Sequence, residues 1–157
     1  MLFKGDFDMI VTFCGHSNFR KSFNYEEKMI AIFEKEIADK SAEFYLGGYG
    51  NFDNFAYACC KKYKKTHPNV SLIFVTPYIR EEYQKAHLGF HNERYDGMVY
   101  PPIENIPLKF AILYRNKYMV EESDFVIAYI THNYGGAYKM YSYAKSKGKN
   151  VINIADN

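Results

Sequence analysis

The sequence predicts an α/β protein in which one mainly parallel sheet carries helices on both of its faces. Three observations predict it. Short, continuously apolar runs of strand length alternate with amphipathic runs of helix length along the 157 residues, and a strand apolar on both sides belongs inside a parallel sheet covered by helices. Glycine and small polar residues mark the hand-overs, above all in Tyr45-Leu46-Gly47-Gly48-Tyr49-Gly50-Asn51-Phe52-Asp53. No linker, repeat or low-complexity segment breaks the alternation, so residues 1–157 read as one domain, long enough to bury roughly two thirds of its unfolded surface.

Met9 to Cys14 is the first apolar strand, stopped by Gly15-His16-Ser17. Asn24, three residues before Glu27, predicts a capping-box start for a helix that carries Met29, Ile30, Phe33 and Ile37 at helical spacing to about Asp39. Glu43 to Leu46 is the second strand, and the glycine loop leads from it into a helix from Asn51 or Asp53 to about Lys65. Lys61, Lys62, Lys64 and Lys65 suit the negative end of that helix and need no other partner. His67-Pro68-Asn69 is a turn and Val70 to Val75 the third strand, ending in Thr76-Pro77-Tyr78. A short helix at Arg80 to Lys85, a loop with Gly89 and Asn92, and a short strand from Gly97 to Tyr100 follow. Pro107 opens a long helix from about Leu108 to Glu121; Asp124 to Ile130 is a further buried strand. After Thr131 to Gly136, Ala137, Met140, Tyr141 and Ala144 mark a last helix, Gly148 its C-terminal stop, and Val151 to Ile154 the final strand.

Composition bounds the function. Hydrophobic residues at 48% and charged ones at 24% are ordinary globular values and exclude disorder. Sixteen Tyr and 13 Phe without any Trp are unusual, and tyrosine lines a pocket as readily as it fills a core. A net charge of +2 is too small to argue for nucleic acid or an anionic membrane surface. Cys14, Cys59 and Cys60 show no CxxC pair and no Cys/His ladder, so reduced thiols are expected, with no metal and no cofactor. The N-terminal apolar run is too short for a signal peptide and no window approaches a membrane span, which leads to the expectation of a soluble, cytoplasmic protein.

In an open parallel sheet, ligands bind outside the carboxyl ends of the strands near the point where strand order reverses. Here the residues following the strands are Gly15-His16-Ser17, Gly47 to Asp53, Thr76-Pro77-Tyr78 and Thr131 to Gly136, all small or polar sets expected on one rim. Gly48-Tyr49-Gly50 has the GxGxx spacing, but Asp53 stands where a dinucleotide fingerprint has its third glycine, and no Gly-Lys-Ser/Thr follows as in a P-loop. Asp53 is either a helix cap or a partner for a ribose hydroxyl. His16 and His132 are either packing residues or members of the site. Gly135-Gly136, with Lys139 in the next turn, is either a second anion cradle or a tight strand-to-helix turn. Arg115, four residues before Met119, faces the core and wants an anion or carbonyl, supplied by Asp124 or by a ligand phosphate.

Arg115-Asn116-Lys117-Tyr118-Met119, then Ser123-Asp124, an apolar strand and a glycine turn into a helix together resemble the SLOG superfamily, which joins Smf/DprA-like DNA-processing proteins and Lonely Guy phosphoribohydrolases. Phe13-Cys14-Gly15-His16, Gly47-Gly48-Tyr49-Gly50 and Pro101-Pro102 are similar to its YpsA-like branch. The resemblance implies a Rossmann-like three-layer sandwich that binds a nucleotide or nucleotide derivative. Lonely Guy enzymes follow the strand with Pro-Gly-Gly-x-Gly-Thr-x-x-Glu and pair that glutamate with an arginine. Here the arginine is kept as Arg115, while the glutamate position falls on Tyr138 or Lys139. The expectation is therefore a nucleotide-binding or sensing domain. Gly47, Gly48, Gly50, Asn51, Gly135 and Gly136 would hold phosphate, Arg115 and Lys139 would add charge, and Thr76, Tyr78, His132 and Asn133 would contact base or sugar, beside Gly15 and His16. The alternative is a nucleoside-5′-monophosphate phosphoribohydrolase or related N-glycosidic-bond enzyme, with Asp53 as its carboxylate and Arg115 as the other catalytic candidate. A nucleotide-derived small molecule is the expected partner, with nucleic acid set aside on charge; the aromatic surplus leaves a homo-oligomer open.

Overall fold

In the computed structural model, which describes residues 7–78 and 93–156, the apolar runs form six parallel strands and four helices. In chain order these are β1 (Met9–Gly15), α1 (Phe23–Glu36), β2 (Ala42–Leu46), α2 (Asn51–Lys64), β3 (Val70–Val75), β4 (Gly97–Val99), α3 (Ala111–Glu122), β5 (Phe125–Tyr129), α4 (Gly136–Ser146) and β6 (Asn150–Asn153). The helix expected at Arg80 to Lys85 and the loop with Gly89 and Asn92 lie outside the described residues.

The sheet runs β4-β3-β2-β1-β5-β6, and every neighbouring pair is parallel. Chain progress from β1 to β4 moves one way, and β5 then returns to the other side of β1, so strand order reverses between β1 and β5. Side chains alternate across each strand and build two cores. Val11, Phe13, Phe44, Leu46, Leu72 and Ile127 pack with Met29 and Phe33 of α1 and Phe52 and Phe55 of α2. On the opposite face Ile10, Cys14, Tyr45, Ile73, Val75, Val126 and Ala128 pack with Met119, Val120, Met140 and Ala144 of α3 and α4. That division is the three-layer sandwich expected from the alternation of runs.

Helix starts depart from the sequence expectation in two places. Ser22, not Asn24, caps α1: its extended backbone lets Oγ accept the Tyr25 N–H at 3.3 Å. A 3₁₀ turn, Leu108–Phe110, precedes α3, so the helix proper begins at Ala111 rather than beside Pro107.

Candidate functional site

A cleft of about 420 Å³ opens at the reversal point, bounded by the residues after β1, the start of α2, the inner side of α3 and the turn from β5 into α4. Its floor is Arg115. The side chain is 3% exposed, and Nη1 donates to the carbonyls of Gly47 at 3.1 Å and Val75 at 2.7 Å, while Nε donates to Asn116 Oδ1 at 2.9 Å. The guanidinium thus ties together the carboxyl ends of β2 and β3 from a helix on the far side of the sheet. Asp124, the alternative partner from sequence, is used elsewhere: its Oδ2 accepts the Ile10 N–H at 2.9 Å and fixes the start of β5 to β1.

Asp53 lies in the same cleft, and a Cβ on Gly47 would stand 3.3 Å from both Arg115 Cζ and Asp53 Oδ2. The glycine is what lets the guanidinium and the carboxylate close on one backbone position. Asp53 Oδ2 accepts the Tyr49 N–H at 2.9 Å. Although the residue is half-buried, its carboxyl is withdrawn from water, and that desolvation pushes its pKa up to about 6 against the opposing pull of the Tyr49 bond and the Arg115 charge.

The two glycine turns have matching backbones and different surroundings. Gly50 caps α2 with φ 92° and ψ 172°, and Gly135 caps α4 with φ 91° and ψ 174°; neither helix has a side-chain cap. The first turn is closed by protein. A Cβ on Gly48 would meet Phe74 at 2.8 Å, one on Gly50 would meet Ser17 at 3.1 Å, and the Asn51 N–H already donates to Ser17 O at 3.2 Å. The second turn is open. Nothing lies within 4 Å of a Cβ on Gly135 or Gly136, and both line the cleft. The start of α4 therefore presents helix-terminal N–H groups and the positive end of the dipole to the cleft without a side chain in the way.

Three rings form a tier along one wall. His16, 5% exposed, stacks on His132 at 3.5 Å between centroids, and His132 stacks on Tyr134 at 3.9 Å. His16 Nε2 accepts the Thr131 N–H at 3.0 Å, which leaves the proton of the neutral ring on Nδ1. Burial first, and the neighbouring His132 second, lower the His16 pKa. Tyr134, 67% exposed, and Tyr49, 70% exposed, both flank the cleft.

Of the residues singled out in the sequence, Gly15, His16, Asp53, Arg115, His132, Gly135 and Gly136 come together here, with Gly47 backing Arg115. Thr76 and Tyr78 do not line the cleft. Thr76 Oγ1 donates to Tyr78 O at 3.1 Å and accepts the Tyr78 N–H at 3.2 Å, closing the end of β3 on itself. Asn51, Asn133 and Lys139 are exposed outside the cleft lining. Ser17, Tyr49 and Tyr134 fell within the stretches expected on the rim but were given no role of their own, and Asn116 and Asn18 were not proposed as site residues at all. The legible signal was a large ring set inside or directly before a glycine turn, where small polar residues are usual. Among the described residues, no group of three or more His, Cys, Asp or Glu side chains is placed to hold a metal ion, and no helix is long and apolar enough to cross a membrane.

Fold and site define a doubly wound α/β protein with a ligand-type cleft at its topological switch point. Among solved structures, the chain is similar to DNA processing protein A (DprA) from Streptococcus pneumoniae, with TM-score 0.62 and 18% identity over 94% of this chain and 52% of that one. It is likewise similar to DprA from Helicobacter pylori, with TM-score 0.61 and 18% identity over 93% of this chain and 65% of that one. The chain spans less than two thirds of either length, and likeness at this identity shows a shared DprA-type fold. No protein-family model and no curated protein sequence matches the chain.

The Helicobacter pylori structure concerns that protein's single-stranded DNA binding mode. This finding overturns the dismissal of nucleic acid on charge. Single strands are held by stacking and local charge rather than by net charge, and the +2 total conceals an uneven distribution: no Asp or Glu occurs between Asp124 and Asp156, while Lys139, Lys145, Lys147 and Lys149 do.

Proposed function

We propose that the cleft binds a nucleotide unit presented by a single-stranded nucleic acid. The observation that carries this reading is the tier of His16, His132 and Tyr134, which ends on an exposed ring in a cleft that exposed Tyr49 and buried Arg115 also line. A flat ring already held by a stack beneath it receives a base with little further ordering cost. The adjoining phosphate fits the open N-terminus of α4 at Gly135 and Gly136. Arg115 spends hydrogen bonds on backbone carbonyls, yet its charge keeps the cleft attractive to an anion. Similarity to a protein that binds single-stranded DNA supports a strand over a free nucleotide.

Fluorescence anisotropy with a labelled oligothymidine tests the reading, with thymidine monophosphate and a duplex as competitors. The unlabelled strand should displace the probe far better than either. Tyr49→Ala and Tyr134→Ala should each weaken binding roughly 5- to 150-fold, the equivalent of the ~1–3 kcal/mol that one stacked base contributes. Absence of binding by the wild type, or unchanged affinity in both variants, would sink it.

One observation favours a second reading, cleavage of an N-glycosidic bond. Asp53 titrates at about 6 in the cleft, so it can give a proton to a departing base or take one from attacking water near neutral pH. Chromatography of nucleoside monophosphates after incubation decides the matter: wild type should release free base, and Asp53→Asn should not. Intact substrate with the wild type excludes this second reading and leaves the binding one standing.

A further inference from the structure

The cleft continues past its own rim. A groove of about 480 Å³ lies between α3 and α4 and shares Asn116, Gly136 and Met140 with the cleft. Half-buried Lys117 of α3 and exposed Lys139 of α4 line it, with Tyr138 and Tyr143 between them. The Lys117 ammonium lies 5.1 Å from the centre of the Tyr114 ring and 5.4 Å from that of Tyr143, and Lys147 reaches the same Tyr143 ring at 5.4 Å. No Asp or Glu is among the residues that line this groove; Glu121, which accepts the hydroxyl of the lining Tyr143, stands outside that lining. Lysines spaced along a groove whose lining has no carboxylate suit the regularly spaced phosphates of an extended polyanion, and Tyr138 in the same lining offers its bases a ring to lie against.

Resting on the nucleotide reading above, we infer that this groove carries the strand onward, so that one nucleotide sits in the cleft and its neighbours run between α3 and α4 past Lys117 and Lys139. The 11 residues of α4 extend roughly 16 Å, the length of about five stacked nucleotides.

Oligothymidines of two and of eight nucleotides separate this track from the cleft alone, measured on the wild type and on Lys117→Gln/Lys139→Gln over a salt series. Wild type should gain about tenfold or more from the added length, because each phosphate contact adds counterion release. The double variant should lose most of that gain, and the slope of log affinity against log salt with the longer strand should fall by about 1.4, or 0.7 for each of two phosphates. Melting by circular dichroism should show both proteins equally folded, since neither lysine is in a core. Equal gain and equal slope in the two proteins would overturn the track while leaving the cleft intact. So would a wild type that binds both lengths equally. Failure of the wild type to bind either length would remove the nucleotide reading and the track together.

Discussion

Asp53 and Arg115 lie against the same glycine, and their environments give them opposite thermal consequences. Lifting a carboxyl from its ordinary 3.8 to about 6 means that its ionised form costs the fold about 3 kcal/mol. The stabilisation from protonated Asp53 is complete below about pH 4 and is lost as pH rises through 6. Asp53→Asn, which keeps an acceptor for the Tyr49 N–H, should therefore stabilise the protein at pH 7 by about 1–3 kcal/mol, with the advantage shrinking to nothing near pH 4. Urea unfolding of both proteins at several pH values checks it; a pH-independent difference would contradict the cause. His16 has the reverse sign, since its lowered pKa gives stability that is lost as pH falls, so only the difference between variant and wild type isolates Asp53. Arg115→Ala strands two carbonyls and removes the cation beside Asp53, and urea unfolding should show a loss of about 3–5 kcal/mol.

At the scale of elements, α2 and α4 begin on glycines of the same conformation, and their surroundings make substitution at those starts diagnostic. Gly136 opens α4 without a left-handed φ and with open space where a Cβ would stand, so nothing in the protein requires a glycine there. Gly136→Ala should stabilise the fold by about 0.5–1 kcal/mol through helix propensity, read as a raised melting temperature, yet weaken oligonucleotide binding by placing a methyl at the anion site. Improved stability with unchanged binding would take phosphate away from this turn. The strands and helices themselves were legible in the sequence, because doubly buried strands leave unbroken apolar runs such as Phe125 to Tyr129 and helices leave spaced ones such as Met29, Phe33 and Ile37. Boundaries were not. Ser22 outcompetes Asn24 because its extended backbone points Oγ at the next turn, and backbone angle is invisible in a residue name. The two glycine turns read alike for a similar reason: which one is filled depends on Phe74 and Ser17, brought there by tertiary packing.

Across the whole molecule, topology explains why part of the site was readable. Gly15 ends β1, and His16, His132 and Gly135 follow the strands flanking the reversal point, so strand order alone brings them together. Thr76 follows a strand too, but β3 is two strands removed from β1, which is why it misses the cleft. Arg115 reached the floor because α3 crosses the sheet from its β4 edge back to β5. Net charge, being a sum, hid the acid-free segment from Phe125 to Ala155. If the cleft and groove receive a strand, the folded state must be stabilised by it as a unit. An oligothymidine at a hundred times its dissociation constant adds about 2.7 kcal/mol, a rise of about 5–11 °C in melting temperature for a chain of this size. Tyr49 and Tyr134 are exposed, so Tyr49→Ala/Tyr134→Ala should leave the ligand-free stability within about 0.5 kcal/mol of wild type. At that same oligothymidine concentration the double variant should lose most of the ligand-induced rise, because the stacking surface is gone while the core is untouched. A full rise in the double variant would show that the strand is held without those rings.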